Sequence, residues 1–191
     1  MQYRPVKTAV IGCGMISDIY MENLKNRFSI IDLVGCSDIV SEKSKAQAEK
    51  YGIRQMTNEE ILSDPEIELV LNLTYASAHY DVSRQILSAG KHCYSEKMMC
   101  LTLDEAKELD SIRKEKNVMF TVAPDTFLGA AQQTARLIVE RGLIGDVVQI
   151  ISNRPRGYHM IKSTEDDAHR KFSVMCEGGG IPYDMGGYDL N

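Results

Sequence analysis

The sequence predicts an α/β fold, in which a doubly wound parallel sheet is followed by the incomplete start of an α+β domain with a mostly antiparallel sheet. Short β-rich runs alternate with longer segments of helical periodicity, which is typical of βαβ units. A glycine-rich turn joins the first strand to the first helix, and the texture of the chain changes after Val122. We therefore expect a first domain over residues 1–123 and part of a second over 124–191.

The hydrophobic pattern assigns the elements of the first domain in order. Apolar runs predict strands at 7–11, 31–37, 69–73, 92–95 and 118–122. Helical periodicity predicts helices at 17–26, 41–51, 58–63, 78–89 and 103–116. Gly52 and Gly90 stand where left-handed C-terminal caps belong, and Thr102 with Glu105 fits a capping box.

Beyond Val122 the pattern is less regular. We expect a loop at 123–129, a helix at 130–141 that ends at Gly142, and a strand at 146–153. The chain is then polar and weakly periodic up to a glycine run at 178–180, with a helix start near Asp184. A single strand cannot form a domain by itself, so a second domain is entered here and not completed.

Composition excludes several classes of function. The chain has 191 residues and a formal net charge of −5, without a basic stripe interleaved with aromatic residues, so nucleic acid is not an expected partner. No apolar run approaches the roughly 18 residues of a membrane span. Five cysteines without a CxxC pair indicate reduced thiols, and no signal peptide is evident, so we expect a cytoplasmic protein. The four histidines lack ligand-type spacing, and no metal site is predicted.

The segment VIGCGMIS, residues 10–17, has the strand–turn–helix context of a dinucleotide-binding loop. Gly12 permits a tight turn, and Gly14 lets a pyrophosphate approach the backbone at the helix N-terminus. The third position holds Ser17, which is small and can also cap the helix. The residues predicted to line this loop are Gly12, Gly14, Met15, Ile16 and Ser17. A tight turn without a ligand is the alternative.

Asp38 follows the second predicted strand, 21 residues beyond Ser17. A carboxylate there accepts hydrogen bonds from the adenosine ribose and repels a 2′-phosphate, which favours NAD over NADP. Lys43 and Lys45 lie nearby and keep NADP possible. An exposed aspartate that only begins a turn is the other interpretation.

Two further groups of polar residues follow predicted strands. Thr74 comes after the strand at 69–73, with His79 five residues later, and Glu96 and Lys97 follow the strand at 92–95. Ligands of open α/β sheets bind outside the carboxyl ends of the strands. A lysine there can donate to a substrate oxygen. A helix-start histidine and a surface Glu–Lys pair are the structural alternatives.

These motifs, in this order and spacing, resemble the glucose-fructose oxidoreductase / inositol dehydrogenase / MocA (Gfo/Idh/MocA) family of NAD(P)-dependent oxidoreductases. The resemblance covers residues 7–191 and rests on GCGMIS, Asp38, NLT with His79, AGKHCYSEK and APDTFLG. It implies a Rossmann domain followed by a domain with a large sheet, the active site between them, and homo-oligomerisation of the full-length protein. It also implies oxidation of a hydroxyl of a sugar, cyclitol or related polyol, or reduction of the carbonyl.

The resemblance also implies site residues. The glycine loop with Ser17 would bind the pyrophosphate, and Asp38 the adenosine ribose. Thr74 and His79 would lie near the nicotinamide end, with Glu96 and Lys97 matching the family's Glu-Lys-Pro. The residues expected to act on the substrate are Lys97, Asp184 and Tyr188, the last two following the glycine run at 178–180.

The chain departs from the family pattern at three points. Met98 replaces the proline of Glu-Lys-Pro, and with it the fixed backbone geometry of that residue. Tyr188 stands where the family has a catalytic histidine, and a phenol with a pKa of about 10 is a poorer base at neutral pH. The chain also lacks the remaining sheet of the second domain, which is roughly half of what such enzymes usually contain. An NAD-binding fragment or pseudoenzyme without turnover therefore remains open, as does a structural fragment with an exposed sheet edge at 146–153.

Overall fold

The computed structural model describes residues 4–151 and Gly186. The chain divides into two compact units, Met1–Ala123 and Pro124–Asn191. No helix among these described residues is long and apolar enough to cross a membrane. The interpretation of the second unit as the start of a substrate domain stays a prediction.

The first unit contains a six-stranded, fully parallel sheet. Its strands are β1 (Val6–Ile11), β2 (Ile31–Ser37), β3 (Arg54–Gln55), β4 (Leu69–Asn72), β5 (His92–Ser95) and β6 (Phe120–Val122). They are arranged in the order β3-β2-β1-β4-β5-β6. The strand order reverses at β1, which pairs with β2 on one side and β4 on the other. This reversal opens a crevice outside the carboxyl ends of β1 and β4, where ligands of such sheets bind.

Helices alternate with the strands along the chain. They are α1 (Ser17–Asn26), α2 (Ser41–Tyr51), α3 (Asn58–Ser63), α4 (His79–Ser88), α5 (Leu103–Glu115) and, in the second unit, α6 (Ala130–Glu140). Capping boxes start α3 at Thr57 and α5 at Thr102, and each satisfies two backbone N–H groups that the helix leaves unpaired. Gly52 ends α2 in the left-handed conformation that glycine adopts without strain.

Two apolar cores cover the two faces of the sheet. Successive residues of a strand point to opposite faces, and in β1 Ala9 and Ile11 belong to one core while Val10 belongs to the other. The first core contains Ile86 of α4 and Leu109 of α5, and the second is built on α1 and α2. Complete burial of each such aliphatic side chain contributes about 1.5–3 kcal/mol. The predicted doubly wound parallel sheet is confirmed.

The strand predicted at 146–153 is wrong over the residues that can be compared. The structure has no strand from 146 to 151, and residues 152 and 153 lie outside the described residues. Val148 and Ile150 are exposed, and a strand forms stably only when a neighbouring strand pairs with its backbone. No such neighbour is present within residues 124–151.

The cysteines of the described part of the chain are free thiols. Cys13, Cys36 and Cys93 are buried, and Cys100 is half-buried. Burial raises the pKa of Cys93 to about 12, so its thiol stays protonated and unreactive. Cys176 lies outside the described residues.

Candidate cofactor site

The turn after β1 requires glycine at position 12. Gly12 has a φ of +103°, and a Cβ built there would lie 2.6 Å from the carbonyl carbon and oxygen of Leu73. Such a distance is far inside van der Waals contact, so any side chain would push β1 away from the backbone that follows β4. Gly12 therefore brings the first loop directly against the carboxyl end of β4, which closes one side of the crevice.

The environment of Gly14 is the opposite. A Cβ built there would meet no heavy atom of the described residues within 4 Å. Met15 and Ile16, the next two residues, are 75% and 45% exposed. The loop thus presents open backbone at the start of α1, where unpaired N–H groups and the helix dipole attract an anion. This arrangement fits a dinucleotide pyrophosphate.

Ser17 does not cap α1, contrary to one of its two expected roles. It is fully buried, and its hydroxyl donates to the carbonyl oxygen of Gly14 at 2.6 Å. The N-cap residue is Ile16, and it makes no side-chain cap. Ser17 therefore tightens the loop from behind, and the first-turn N–H groups are left to other partners.

Asp38 is fixed against the glycine loop. Its Oδ2 accepts a hydrogen bond from the backbone N–H of Cys13 at 2.7 Å, and its Oδ1 accepts one from the N–H of Val40 at 2.8 Å. A carboxylate offers about four lone-pair sites, so two remain for the hydroxyls of a ribose. Asp38 also lines a groove of about 420 Å³ with Ser41, Gln55 and Asn58.

Thr74 is held by Asn72, a buried side chain of the NLT motif that was not listed among the predicted site residues. The Oδ1 of Asn72 accepts from the Thr74 hydroxyl at 2.6 Å. Its Nδ2 donates to the His79 carbonyl and to the Ser83 hydroxyl, both at 3.0 Å. Asn72 therefore ties the loop after β4 to the start of α4, and its position at the end of a buried strand was the available signal.

His79 is buried at the start of α4. The residue is 1% exposed. Its Nδ1 lies 2.6 Å from the carbonyl oxygen of Met98, and its Nε2 lies 2.9 Å from the carbonyl oxygen of Thr74. Each ring nitrogen therefore lies within hydrogen-bond distance of one backbone carbonyl oxygen. The histidine connects the loop after β4 with the loop after β5, and its predicted contact with a cofactor stays a prediction.

Glu96 and Lys97 follow β5 directly. The Oε2 of Glu96 accepts from the backbone N–H of Lys97 at 3.0 Å, and its Oε1 accepts from the hydroxyl of Tyr20 at 2.6 Å. The N–H of Glu96 donates to the carbonyl of Asn72, which keeps this segment beside the end of β4. Lys97 is half-exposed, and its peptide bond to Met98 is cis. Tyr20 was missed because it lies 76 residues away.

Part of the predicted site lies outside the described residues, namely Asp184, Tyr188 and the glycine run at 178–180. Ile39 is 93% exposed immediately after Asp38, and Tyr75 is 53% exposed immediately after Thr74. Neither apolar residue was singled out in the sequence, although both follow strands at the carboxyl edge.

The reversal of strand order, the glycine loop at the start of α1 and the carboxylate after β2 together define a dinucleotide-binding Rossmann domain. A family model described as "Oxidoreductase family, NAD-binding Rossmann fold" matches residues 6–124. The chain belongs to this Gfo/Idh/MocA oxidoreductase family. The predicted family and the predicted cofactor, NAD with NADP possible, are confirmed.

Individual relatives agree with this assignment. An uncharacterized oxidoreductase of Schizosaccharomyces pombe is 35% identical over 189 residues, which cover 96% of this chain and 49% of the relative. The inositol 2-dehydrogenase/D-chiro-inositol 3-dehydrogenase of Lactiplantibacillus plantarum is 24% identical over 168 residues, 86% of this chain and 47% of that protein. The chain spans about half the length of these curated relatives.

The fold also matches solved structures. The scyllo-inositol dehydrogenase of Lactobacillus casei, solved with NAD(H) and scyllo-inositol, superposes with a TM-score of 0.70 at 19% identity. The match covers 75% of this chain and 43% of that one. At this identity the similarity establishes a shared fold.

Proposed function

We propose that the protein is an NAD(P)-dependent dehydrogenase that oxidises a hydroxyl of a cyclitol, sugar or related polyol, or reduces the corresponding carbonyl. One observation carries the proposal. Lys97 follows β5, the glycine loop follows β1 and Asp38 follows β2, so all three lie at the carboxyl ends of parallel strands. The N–H of Glu96 donates to the carbonyl oxygen of Asn72, at the end of β4. A group that can donate a proton therefore lies at the carboxyl ends of the strands, where the dinucleotide would bind.

The residues at the carboxyl ends of these strands would contact different parts of the cofactor. The open backbone at Gly14 and the start of α1 would hold the pyrophosphate, and Asp38 the adenosine ribose. Glu96 and Lys97 would lie at the nicotinamide end. The nicotinamide, when bound, supplies the hydride chemistry, while the protein supplies orientation and proton transfer.

Lys97 is the residue we assign to the proton. An ammonium group can donate a hydrogen bond to the reacting oxygen and return its proton as a carbonyl is reduced. Asp184 and Tyr188 would position the substrate. The backbone of Lys97 is fixed by its hydrogen bond to Glu96, so the start of its side chain is placed by a short, local contact.

The substrate class rests on the relatives. The Lactiplantibacillus plantarum relative is an inositol dehydrogenase, and the Lactobacillus casei structure contains scyllo-inositol. We therefore propose a cyclitol or a sugar of similar size. Homo-oligomerisation of the full-length protein and a cytoplasmic location, in keeping with the free thiols of the described residues, are part of the same proposal.

A second candidate is an NAD-binding module without turnover. Two departures from the family pattern favour it, because Met98 replaces the proline of Glu-Lys-Pro and Tyr188 replaces the catalytic histidine. Both candidates require cofactor binding, and only the first requires hydride transfer.

Cofactor binding is tested by titrating NADH and NADPH into the purified chain and following nicotinamide fluorescence. Gly14→Val should abolish binding while leaving the fold intact, because its side chain would fill the space of the pyrophosphate, and a Cβ at this position meets no heavy atom of the described residues within 4 Å. Gly14→Ala is the matched control for size and should weaken binding less. A folded wild-type chain that binds neither nucleotide would contradict the proposal.

Turnover is tested with NAD⁺ and a panel of myo-inositol, scyllo-inositol and glucose, following NADH absorbance. Lys97→Met keeps the length of the side chain and removes the ammonium, and should lower the rate about 10²- to 10⁴-fold, as expected for loss of a general acid–base group. NADH binding by the variant separates lost chemistry from lost cofactor. Binding without turnover by the wild-type chain would favour the second candidate.

A further inference from the structure

Tyr20 links the helix of the pyrophosphate site to the loop that carries Lys97. Its hydroxyl, on the second turn of α1, donates to Oε1 of Glu96 at 2.6 Å. The ring packs against Tyr94 of β5, with centroids 5.9 Å apart and planes inclined by 58°. The two phenol oxygens are 3.5 Å apart.

The direction of this hydrogen bond is fixed. Burial of the Tyr20 phenol and the adjacent Glu96 carboxylate both raise the pKa of Tyr20 far above its ordinary value. The phenol therefore stays protonated and donates to the Glu96 carboxylate. Charge-assisted bonds of this kind are short and strong, so the Glu96 carboxylate has little freedom to rotate.

The second oxygen of the same carboxylate holds the backbone of Lys97. Oε2 of Glu96 accepts from the Lys97 N–H at 3.0 Å. Without Tyr20, the carboxylate could turn about its last side-chain torsion and release that N–H. The position of the Lys97 backbone therefore depends on a phenol in α1.

We infer that Tyr20 is a positioning residue, which orients Glu96 and through it places Lys97 at the nicotinamide end of the cofactor. The inference rests on the proposed function, since it assumes that Glu96 and Lys97 face the nicotinamide. It predicts a specific effect on ligand binding. Loss of the Tyr20 hydroxyl should affect the nicotinamide half of the dinucleotide and spare the adenosine half.

ADP-ribose separates the two halves, because it retains the adenosine, pyrophosphate and second ribose of NADH and lacks the nicotinamide. We would measure the Kd of both ligands by calorimetry for the wild-type chain and for Tyr20→Phe. The phenylalanine keeps the ring packed on Tyr94 and removes only the hydroxyl. The Kd of NADH should rise about 3- to 10-fold, the range of one hydrogen bond, with that of ADP-ribose unchanged.

The matched control is Tyr80→Phe. The hydroxyl of Tyr80 donates to Oε2 of Glu108 at 2.7 Å, which is the same chemistry between α4 and α5. Glu108 does not belong to the loop after β5. This variant should leave the Kd of both ligands unchanged.

A second variant covers the case in which Tyr20→Phe folds poorly. Glu96→Gln can still accept from Tyr20 through its amide oxygen, but its NH₂ group cannot accept the Lys97 N–H. It should show the same selective loss of NADH affinity. In the double variant the two effects should be less than multiplicative, because both interrupt one chain of contacts.

The outcomes separate the inference from the function. If the wild-type chain binds neither NADH nor ADP-ribose, the proposed function fails. If the wild-type chain binds both, and the Tyr20 and Glu96 variants weaken them equally or not at all, the proposed function stands and the positioning role of Tyr20 is overturned.

Discussion

The two halves of the candidate site are built in different ways. The half proposed for the adenosine, called here the adenosine half, consists of the glycine loop, α1 and Asp38. It is shaped by backbone: a glycine that admits close approach, open N–H groups and one carboxylate bonded to two amides. The half proposed for the nicotinamide, called here the nicotinamide half, is shaped by side chains. Asn72, His79 and Glu96 each make hydrogen bonds that join separate segments of chain. We refer to these three residues as the polar network.

This difference determines how each half should respond to mutation. A backbone-built site fails when a side chain occupies space that must stay empty. A side-chain network fails when one member is removed and its buried partners lose their hydrogen bonds. The adenosine half should therefore be sensitive to added atoms, and the nicotinamide half to deleted polar groups.

The largest effect is expected for Gly12→Ala. The new methyl group would lie 2.6 Å from the Leu73 carbonyl and would require a positive φ that alanine adopts only with strain. We expect a loss of about 3 kcal/mol or more in the free energy of unfolding. Urea denaturation followed by circular dichroism measures it.

Gly14→Ala is the paired control, because it adds the same methyl group two residues away in open space. Its free energy of unfolding should stay within about 0.5 kcal/mol of the wild type. Equal destabilisation by both alanines would show that the close approach at Gly12 does not govern the loop.

The next largest effect is expected for Asn72→Leu. The leucine has a similar volume but cannot bond to the Thr74 hydroxyl, the His79 carbonyl or the Ser83 hydroxyl. Loss of these three hydrogen bonds should cost about 2 kcal/mol in the free energy of unfolding. The same urea titration measures it.

Asn26→Leu supplies the comparison for Asn72→Leu. Asn26 is exposed, and its side chain bonds only to Glu22 one turn earlier in α1. Its replacement should change the free energy of unfolding by less than about 0.5 kcal/mol. If both leucine variants are equally stable, the polar network does not stabilise the nicotinamide half.

The same difference explains which parts of the molecule the sequence predicted. Hydrophobic periodicity predicts α1 and β2 at their observed bounds, because burial on a parallel sheet dictates both patterns. β3 was missed because it is only two residues long and because both of its residues, Arg54 and Gln55, are exposed. The strand predicted at 146–153 was wrong over residues 146–151, because an apolar run alone does not form a strand and no partner strand lies within residues 124–151.

The candidate site divides in the same manner. The glycine loop and Asp38 form a local motif whose spacing reports a physical requirement, so they could be proposed from the sequence. The contacts of the other half join distant positions: Tyr20 with Glu96, 76 residues apart, and His79 with Met98, 19 residues apart. Only the strand order brings these residues together, and a single sequence does not contain that order.

The smallest effect is expected for a cluster of side chains between α1 and α2, around Asp18. Asp18 on α1 accepts hydrogen bonds from Lys50 at 2.7 Å and Gln47 at 2.9 Å, which links α1 to α2 at an exposed surface. Lys50, and then Gln47, hold the pKa of Asp18 below its ordinary value of 3.8. Because the folded-state pKa is the lower one, the stabilisation is complete above that ordinary value and is lost as pH falls through the folded-state pKa.

Asp18→Asn should therefore lower Tm slightly at pH 7, and the difference from the wild type should disappear as the pH falls below about 3.8. Thermal melts from pH 7 to pH 2.5 measure it. Because the pair is exposed, 0.5 M NaCl at pH 7 should reduce the same difference. A difference that persists in salt and in acid would show that Asp18 acts through packing, and that the adenosine half also depends on a side-chain network.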